Sequence, residues 1–282
     1  MNILTFDIEE WFHILDNEST KTEKEWHNYE SRIHKNMDRI FELLDRNNQK
    51  ATFFCLGWIA EKYPEIIKKI DRAGYEIGTH SHLHQLAHTQ NRQSYANDLS
   101  KSIKILEDTI SKKVTSYRAP GFSIKEQNKW AFECLIENGI EIDCSIFPAK
   151  RSHGGFASFE KAKPCIIECE GGSIKEFPIN LHYTLGRPFI FSGGGYFRIT
   201  PQWLLNYLWQ NSDYIMTYFH PRDFDPQQPV IQELRLVRKF KSYYGLGSAL
   251  EKLENLMGSH PFIDLQSAES MINWSEAQVV KL

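Results

Sequence analysis

Residues 76–84 read EIGTHSHLH, three histidines at alternate positions directly after a run that reads as a buried strand. His80 and His84 are four apart, so on a helix they share a face, and a turn leading into a helix would serve equally well. Neutral imidazole is the commonest protein ligand for zinc and its neighbours, and two imidazoles need only one carboxylate to make a site with positions left for water. A cluster of polar histidines on a loop is the plainer alternative. The rest of the chain bears on that choice.

Upstream, residues 2–8 form a short run of β-formers, Ile3, Leu4 and Phe6, that stops in acid at Asp7, Glu9 and Glu10. Alternate residues of a strand face one way, so Asp7 and Glu9 project together while Ile8 and Glu10 face the other side. Two carboxylates on one side of a strand end are costly unless a cation or a catalytic task holds them; a solvated acidic turn is the alternative.

Between these stretches and beyond them, strand and helix alternate. An amphipathic helix is expected over residues 31–46 with Ser31 as cap, a buried strand over 51–57, and one helix over 58–73 closed by Gly74. A helix over 92–110 precedes a strand over 114–117 that ends at Arg118. The next helix opens with Ser123 and Glu126 as a capping box and closes at Gly139, and a strand over 140–142 delivers Asp143. Residues 164–180 read as a hairpin about Gly171 and Gly172, with Cys165 and Cys169 as strand residues. FSGGGYFR, residues 191–198, reads as a substrate-lining glycine loop, followed by a helix with Thr200 as cap and Pro201 in its first turn. The last clear strand, 214–219, ends in His220, and a helical region over 230–257 breaks near Gly245 and Gly247. The final twenty or so residues carry little signal.

The alternation implies α/β architecture with a parallel sheet, and the right-handed crossover rule makes a closed or nearly closed barrel the natural arrangement. A chain of 282 residues suits one such barrel, and 41% apolar with 13% aromatic residues is enough for a substantial core. Asp7, Glu9, His80, His84, Arg118, Asp143 and His220 then all fall at strand C-termini, the face on which barrel active sites are built. The formal charge of −3 offers no basic field for nucleic acid or an anionic membrane surface. No window approaches the roughly 18 apolar residues of a spanning helix, and MNILTFDIEEWF lacks the basic start of a signal peptide, so a cytoplasmic protein is expected. Five cysteines without a CxxC pair fit reduced thiols.

These motifs carry a family resemblance. TFDIEE resembles the TFDD motif of NodB-type polysaccharide deacetylases, the family 4 carbohydrate esterases; HSHLH matches their H[ST]xxH metal motif, RAPG at residues 118–121 their RxP motif, and YFH at 218–220 their strand-ending histidine. FDIEEWFH, SGGGYFR and HPRDFDP are further similar to a subfamily of exopolysaccharide and protein-sorting loci. The resemblance implies a deformed (β/α) barrel of about seven strands, here with an inserted hairpin and a C-terminal helical extension: one domain over 1–282, with a core of about 2–225 and an extension of about 226–282. It implies a deacetylase of N-acetylated sugars that uses one divalent metal, zinc first, with Co2+, Ni2+, Mn2+ or Fe2+ accepted by the same donors.

Position by position, the resemblance makes Asp7 the general base and His80 and His84 metal ligands. Ile8 stands where the family has an aspartate ligand, and strand geometry points to Glu9 rather than Glu10 as the replacement. His220 is the expected general acid, with Asp143 as the carboxylate beside it; Arg118 is expected to hold Asp7 ionised, or else to form a structural ion pair with Asp143. A backbone N–H near Gly121 is the implied oxyanion donor, and Tyr196, Arg198, Arg222 and Asp223 are candidate sugar contacts. His13, His82 and His88 are not expected to be ligands. Two other functions fit the same barrel: hydrolysis of a cyclic amide or ureide, and carbohydrate binding without turnover.

Overall fold

The computed structural model describes residues 1–15, 17–151, 153–159, 162–184 and 187–282. Two strands that are almost one open the chain, β1 Asn2–Ile3 and β2 Thr5–Ile8, and every residue of β2 is buried. β3 Thr52–Cys55 is likewise buried throughout, the near-continuous apolar pattern of a strand covered on both faces. β4 Glu76–Thr79, β5 Ser116–Tyr117 and β6 Ile142–Asp143 follow, each parallel to its predecessor. The hairpin expected about Gly171 and Gly172 is present as β7 Cys165–Cys169 and β8 Gly172–Glu176. β9 His182–Thr184 and β10 Arg187–Phe189 form a separate antiparallel pair. β11 Ile215–Met216 pairs with β1, and β12 Val279–Lys281 pairs with β7.

The main sheet therefore runs β12-β7-β8-β6-β5-β4-β3-β2, and β11 continues it on the other side of the first strand through β1 and the Phe6–Phe219 bridge. The hairpin is an integral part of this sheet, since β8 lies parallel to β6. No ladder closes the sheet into a barrel among the described residues. Side chains span the gap instead: Asn180 Oδ1 accepts from Met216 N–H at 3.0 Å, and the Tyr214 hydroxyl donates to Pro178 O at 2.7 Å.

Eleven α-helices are described: α1 Glu23–Trp26, α2 Ile33–Asn47, α3 Gly57–Lys62, α4 Pro64–Arg72, α5 Arg92–Ile110, α6 Trp130–Glu137, α7 Gly194–Ile199, α8 Gln202–Gln210, α9 Leu236–Tyr243, α10 Leu246–Met257 and α11 Leu265–Ser270. Their apolar stripes cover the sheet; α2 turns Met37, Ile40, Phe41 and Leu44 onto Phe53 and its neighbours. Several sequence expectations change. The helix expected over 58–73 is two, because Pro64 lacks an N–H and holds Tyr63 out of the helical region at φ −134°, ψ 57°. Ser31 does not cap α2; it donates to Glu10. Ser123 does not cap the next helix, which begins only at Trp130; its hydroxyl accepts from Ala87 N–H at 2.8 Å.

The three glycines are not a loop. Gly193 bridges Tyr218, where a Cβ would lie 2.2 Å from Tyr218 O, and Gly194 starts α7. The last twenty residues, unreadable from sequence, supply the edge strand β12. No helix among the described residues is long and apolar enough to cross a membrane.

Asp143 and Glu176 are register partners on β6 and β8, and both are fully buried. Burial raises the pKa of both carboxyls. Asp143 then adds to the rise at Glu176, pushing it well above the usual carboxylate range. Two carboxyls can face each other in the core only by sharing a proton. The folded state thus holds this proton more tightly than the unfolded chain, so the contribution to stability is complete below the ordinary carboxylate pKa and is lost as pH rises through the raised value. Glu176→Gln keeps a donor for Asp143 and removes the titration. Thermal melts should show the variant at least as stable as wild type at neutral pH, with an advantage of about 2–4 °C per kcal/mol that widens with pH. Parallel Tm–pH curves for the two proteins would contradict a shared proton.

Candidate active site

The site is built on Arg118, which emerges from the end of β5 with no exposed surface. Its Nη1 donates to Asp7 Oδ1 at 2.8 Å and to Thr5 Oγ1 at 2.7 Å, and its face lies 4.4 Å from the centre of the Phe54 ring. Weaker bonds reach Cys144 O and Thr217 O, both at 3.4 Å. The guanidinium thus pairs with Asp7, leaving Asp143 to Glu176 and to Ser145, whose hydroxyl donates at 2.6 Å. The Arg118–Asp143 ion pair considered from sequence is not formed.

Glu9 follows β2 on the Asp7 side, and Glu10 turns away from it. The Glu10 carboxylate accepts from the Arg32 and Ile33 backbone N–H groups at 3.1 and 3.2 Å, capping α2 across a sequence gap. Glu9 instead converges with His80 and His84: one donor atom from each lies within 4.8 Å of the others. His84 Nε2 and Glu9 Oε2 are 2.8 Å apart, yet Glu9 Oε2 is buried without a partner in hydrogen-bond geometry. His80 donates through Nδ1 to Arg118 O at 2.8 Å, which leaves Nε2 as the free lone pair. Burial pushes the His80 pKa down to about 4, so its imidazole is neutral near pH 7, as a ligand must be. Burial opposes the Glu9 charge, but His84, His220 and His13 outweigh it and hold the carboxylate well below its usual range. Two imidazole nitrogens and one carboxylate oxygen fit a divalent cation.

The histidines meet in a turn, not on a helix. Ser81 and His84 adopt positive φ, 71° and 54°, which folds the backbone back so that residues four apart face one point. Asp98 of α5, which no sequence pattern marks, fixes this turn by accepting from His82 N–H at 2.7 Å and Leu83 N–H at 3.1 Å. The turn's carbonyls also cap α3, with Ser81 O accepting from Gly57 N–H at 2.9 Å. A Cβ at Gly57 would sit 2.7 Å from His82 Nδ1 and 2.8 Å from Ser102 Cα, so only glycine permits this approach.

Across the site, His220 Nδ1 lies 3.1 Å from Asp223 Oδ2, and Nε2 points inward, 3.5 Å from Glu9 Oε1 and 3.9 Å from Asp7 Oδ2. The carboxylate beside His220 is therefore Asp223, three residues on in a one-turn helix, and Asp143 is not brought to the site. Burial works against the imidazolium, but the Asp223 hydrogen bond and the fields of Glu9 and Asp7 push the pKa up to about 9. Asp223, opposed by burial but held by His220 and Arg198, drops to about 2. Arg198 is committed to this scaffold: it bonds Asp223 at 3.1 Å, Lys241 O at 2.9 Å and Tyr244 O at 2.5 Å.

These groups line a cavity of about 490 Å3 that also contains Gly121, Tyr196 and Arg222. Tyr196 OH accepts from Arg151 at 2.8 Å. His13 lies on the wall as well, packed 4.2 Å from the Trp26 ring centre, with Nδ1 accepting from Glu10 N–H and Nε2 buried without a partner. The sequence offered only WFH for it, a pattern equally suited to packing.

Residues 4–134 match the polysaccharide deacetylase family, and residues 144–269 match a domain of unknown function, DUF3473. Residues 4–134, a little under half of the chain, thus carry a polysaccharide deacetylase domain match. A Bacillus cereus peptidoglycan-N-acetylglucosamine deacetylase is 38% identical over 96 residues, 34% of this chain and 35% of the relative. The chain thus spans between 35% and 38% of the length of such curated relatives. Among solved structures, a Mycobacterium smegmatis protein provisionally described as a polysaccharide deacetylase aligns with TM-score 0.68 and 19% identity, covering 99% of this chain and 92% of the other. A mutant of a family 4 esterase pseudoenzyme, described as having restored activity, aligns with TM-score 0.52 and 15% identity, covering 95% and 66%. At these identities the structures show the fold, an α/β deacetylase fold around a mostly parallel sheet.

Two variants test the construction of the site. Glu10→Ala should cost about 0.5–2 kcal/mol of stability through the lost cap while leaving zinc affinity within a few-fold, read by denaturant melts and a competing chelator. Asp98→Ala should weaken zinc binding about 10–100-fold in the same chelator competition, and unchanged affinity would show that the histidine turn holds itself.

Proposed function

We propose that this chain is a metal-dependent carbohydrate N-deacetylase that removes the acetyl group from an N-acetylated sugar or polysaccharide precursor in exopolysaccharide biosynthesis. The observation that carries this reading is the convergence of Glu9, His80 and His84 beside Asp7 and His220 in one cavity. Glu9, His80 and His84 would hold the metal, Zn2+ first, although Co2+, Ni2+, Mn2+ or Fe2+ suits the same donors. When bound, a divalent cation supplies Lewis-acid chemistry, polarising the acetamide carbonyl and acidifying water.

The chain's own residues do the rest. Arg118 occupies Asp7 Oδ1, so Oδ2 is left to take the proton from the attacking water. Asp223 holds His220 Nδ1, so Nε2 presents its proton to the amine as the C–N bond breaks and acetate leaves. A backbone N–H near Gly121 would receive the developing oxyanion, and Tyr196 and Arg222, which line the same cavity, would contact the sugar. Residues 1–282 are read as one domain, with the segment from about 226 onward as a helical extension that packs α10 on α2 and α7. A cytoplasmic location belongs to the same proposal, in keeping with five unbridged thiols.

The cavity runs toward a second depression of about 560 Å3 that shares Lys150, Arg151 and Tyr196 with it and includes Tyr183 and Phe189. Space of this kind supports an extended sugar over a small cyclic amide. The decisive experiment is acetate release from N-acetylglucosamine oligomers and nucleotide-linked N-acetylglucosamine by zinc-loaded protein. Wild type should release acetate, and Asp7→Asn should lower kcat about 10²–10⁴-fold while retaining zinc. Absence of acetate from every acetylated sugar, with zinc bound, would favour a non-catalytic carbohydrate-binding role; turnover of a cyclic ureide instead would favour the other hydrolase.

A further inference from the structure

The deacetylase chemistry uses some of the residues that line the cavity, and the rest of its wall has a different character. Cationic side chains outside the reacting set line it, among them Lys150 and Arg151 after β6, Arg222 beside His220, and Lys241 on α9. This stands against a formal net charge of −3 for the whole chain. The lining carboxylates make their ion pairs elsewhere, although the fields of Asp223 and Glu9 also reach Arg222. Asp7 is matched by Arg118, Glu9 by the two histidines and Asp223 by Arg198 and His220.

Arg222 is the most telling member. Its Nη2 is buried and has no hydrogen-bond partner among the described residues, and its guanidinium lies 5.8 Å from the Tyr243 ring centre. Burial lowers its pKa, so the environment presses against the charge it carries. A guanidinium nitrogen left unbonded in a cavity wall is completed by an acceptor from outside the chain. Arg151 is pre-set by stacking between Phe147 and Tyr196, 4.5 and 4.8 Å from their ring centres. Several cations in one cavity, two of them planar guanidiniums, suit the oxygens of a multiply charged phosphate better than a single carboxylate.

We propose that the substrate is a phosphate-bearing acetamido sugar, a sugar diphosphate ester whose diphosphate lies on the Lys150–Arg222–Lys241 wall while its acetamide reaches Glu9, His80 and His84. This rests on the deacetylase reading and narrows it from N-acetylated carbohydrate to an activated, anionic precursor. The diphosphate belongs to a nucleotide-linked or a lipid-linked sugar. α9 exposes Leu236, Val237 and Phe240 beside its cationic residues, so both sources are tested.

Inorganic pyrophosphate is titrated calorimetrically into zinc-loaded wild type, Arg222→Met, Lys150→Ala/Lys241→Ala and His80→Ala. Wild type should bind it with salt-sensitive affinity, and both cation variants should bind about tenfold or more weakly, the value of one lost charge-assisted hydrogen bond. Circular dichroism melts confirm that each variant is folded. Binding that survives in both cation variants and vanishes in His80→Ala is capture by the metal and overturns the proposal, as does absence of binding to wild type. Acetate release is then compared for N-acetylglucosamine, UDP-N-acetylglucosamine and a prenyl-diphosphate N-acetylglucosamine. Preference for either diphosphate supports the proposal and identifies the source. Release only from neutral sugars overturns it and leaves the deacetylase reading standing, whereas pyrophosphate binding on the cation wall without acetate from any sugar overturns the deacetylase reading alone.

Discussion

A buried ion pair, Arg118 with Asp7, is the constraint on which the rest of the site depends. A guanidinium without exposed surface is tolerable only if its charge is matched and its N–H groups are bonded. Those bonds go to Thr5 and Asp7 on β2, to Thr217 just past β11 and to Cys144 just past β6, so one side chain ties together segments far apart in sequence. Removing either partner would leave an unmatched charge in the core, a loss of about 3–5 kcal/mol. The pairing also decides chemistry: with Oδ1 occupied, the Asp7 carboxylate presents one defined oxygen to the cavity.

A similar economy runs through the other functional groups, each of which is aimed by a neighbour. Asp223 sets the His220 ring, Arg118 O sets the His80 ring, and Asp98 sets the turn that carries His84. The carboxylate at position 10 is absorbed by the start of α2, which leaves Glu9 to face the histidines. Such partners fix ring orientation and tautomer, which ligand identity alone does not.

The sequence made some of this legible and hid the rest for physical reasons. Strand ends are local patterns, so Asp7, His80, His84, Arg118 and His220 could be placed at one end of the sheet, and α5 could be read to its bounds. Glu9 followed from alternation along a strand. Asp143 sits at an equivalent strand end, but its environment depends on the register of β6 against β8, and that register set it opposite Glu176. The true partner of His220 was local, three residues on in HPRDFDP, a spacing that one turn of helix brings together. The positive φ values at Ser81 and His84 leave no trace in residue type, since neither is glycine. β12 escaped because it is short and mostly exposed, and only its pairing with β7 makes it a strand.

The central claim is that Glu9, His80 and His84 form a metal centre, and the most direct measurement is elemental analysis of the purified protein and its variants. The account predicts about one divalent metal per chain in wild type, the stoichiometry of a single three-ligand site. It predicts loss of that metal in Glu9→Ala and in His80→Ala/His84→Ala, and its retention in Glu10→Ala. Wild-type protein that stays metal-free after incubation with zinc, or Glu9→Ala protein that keeps its full complement, would contradict it.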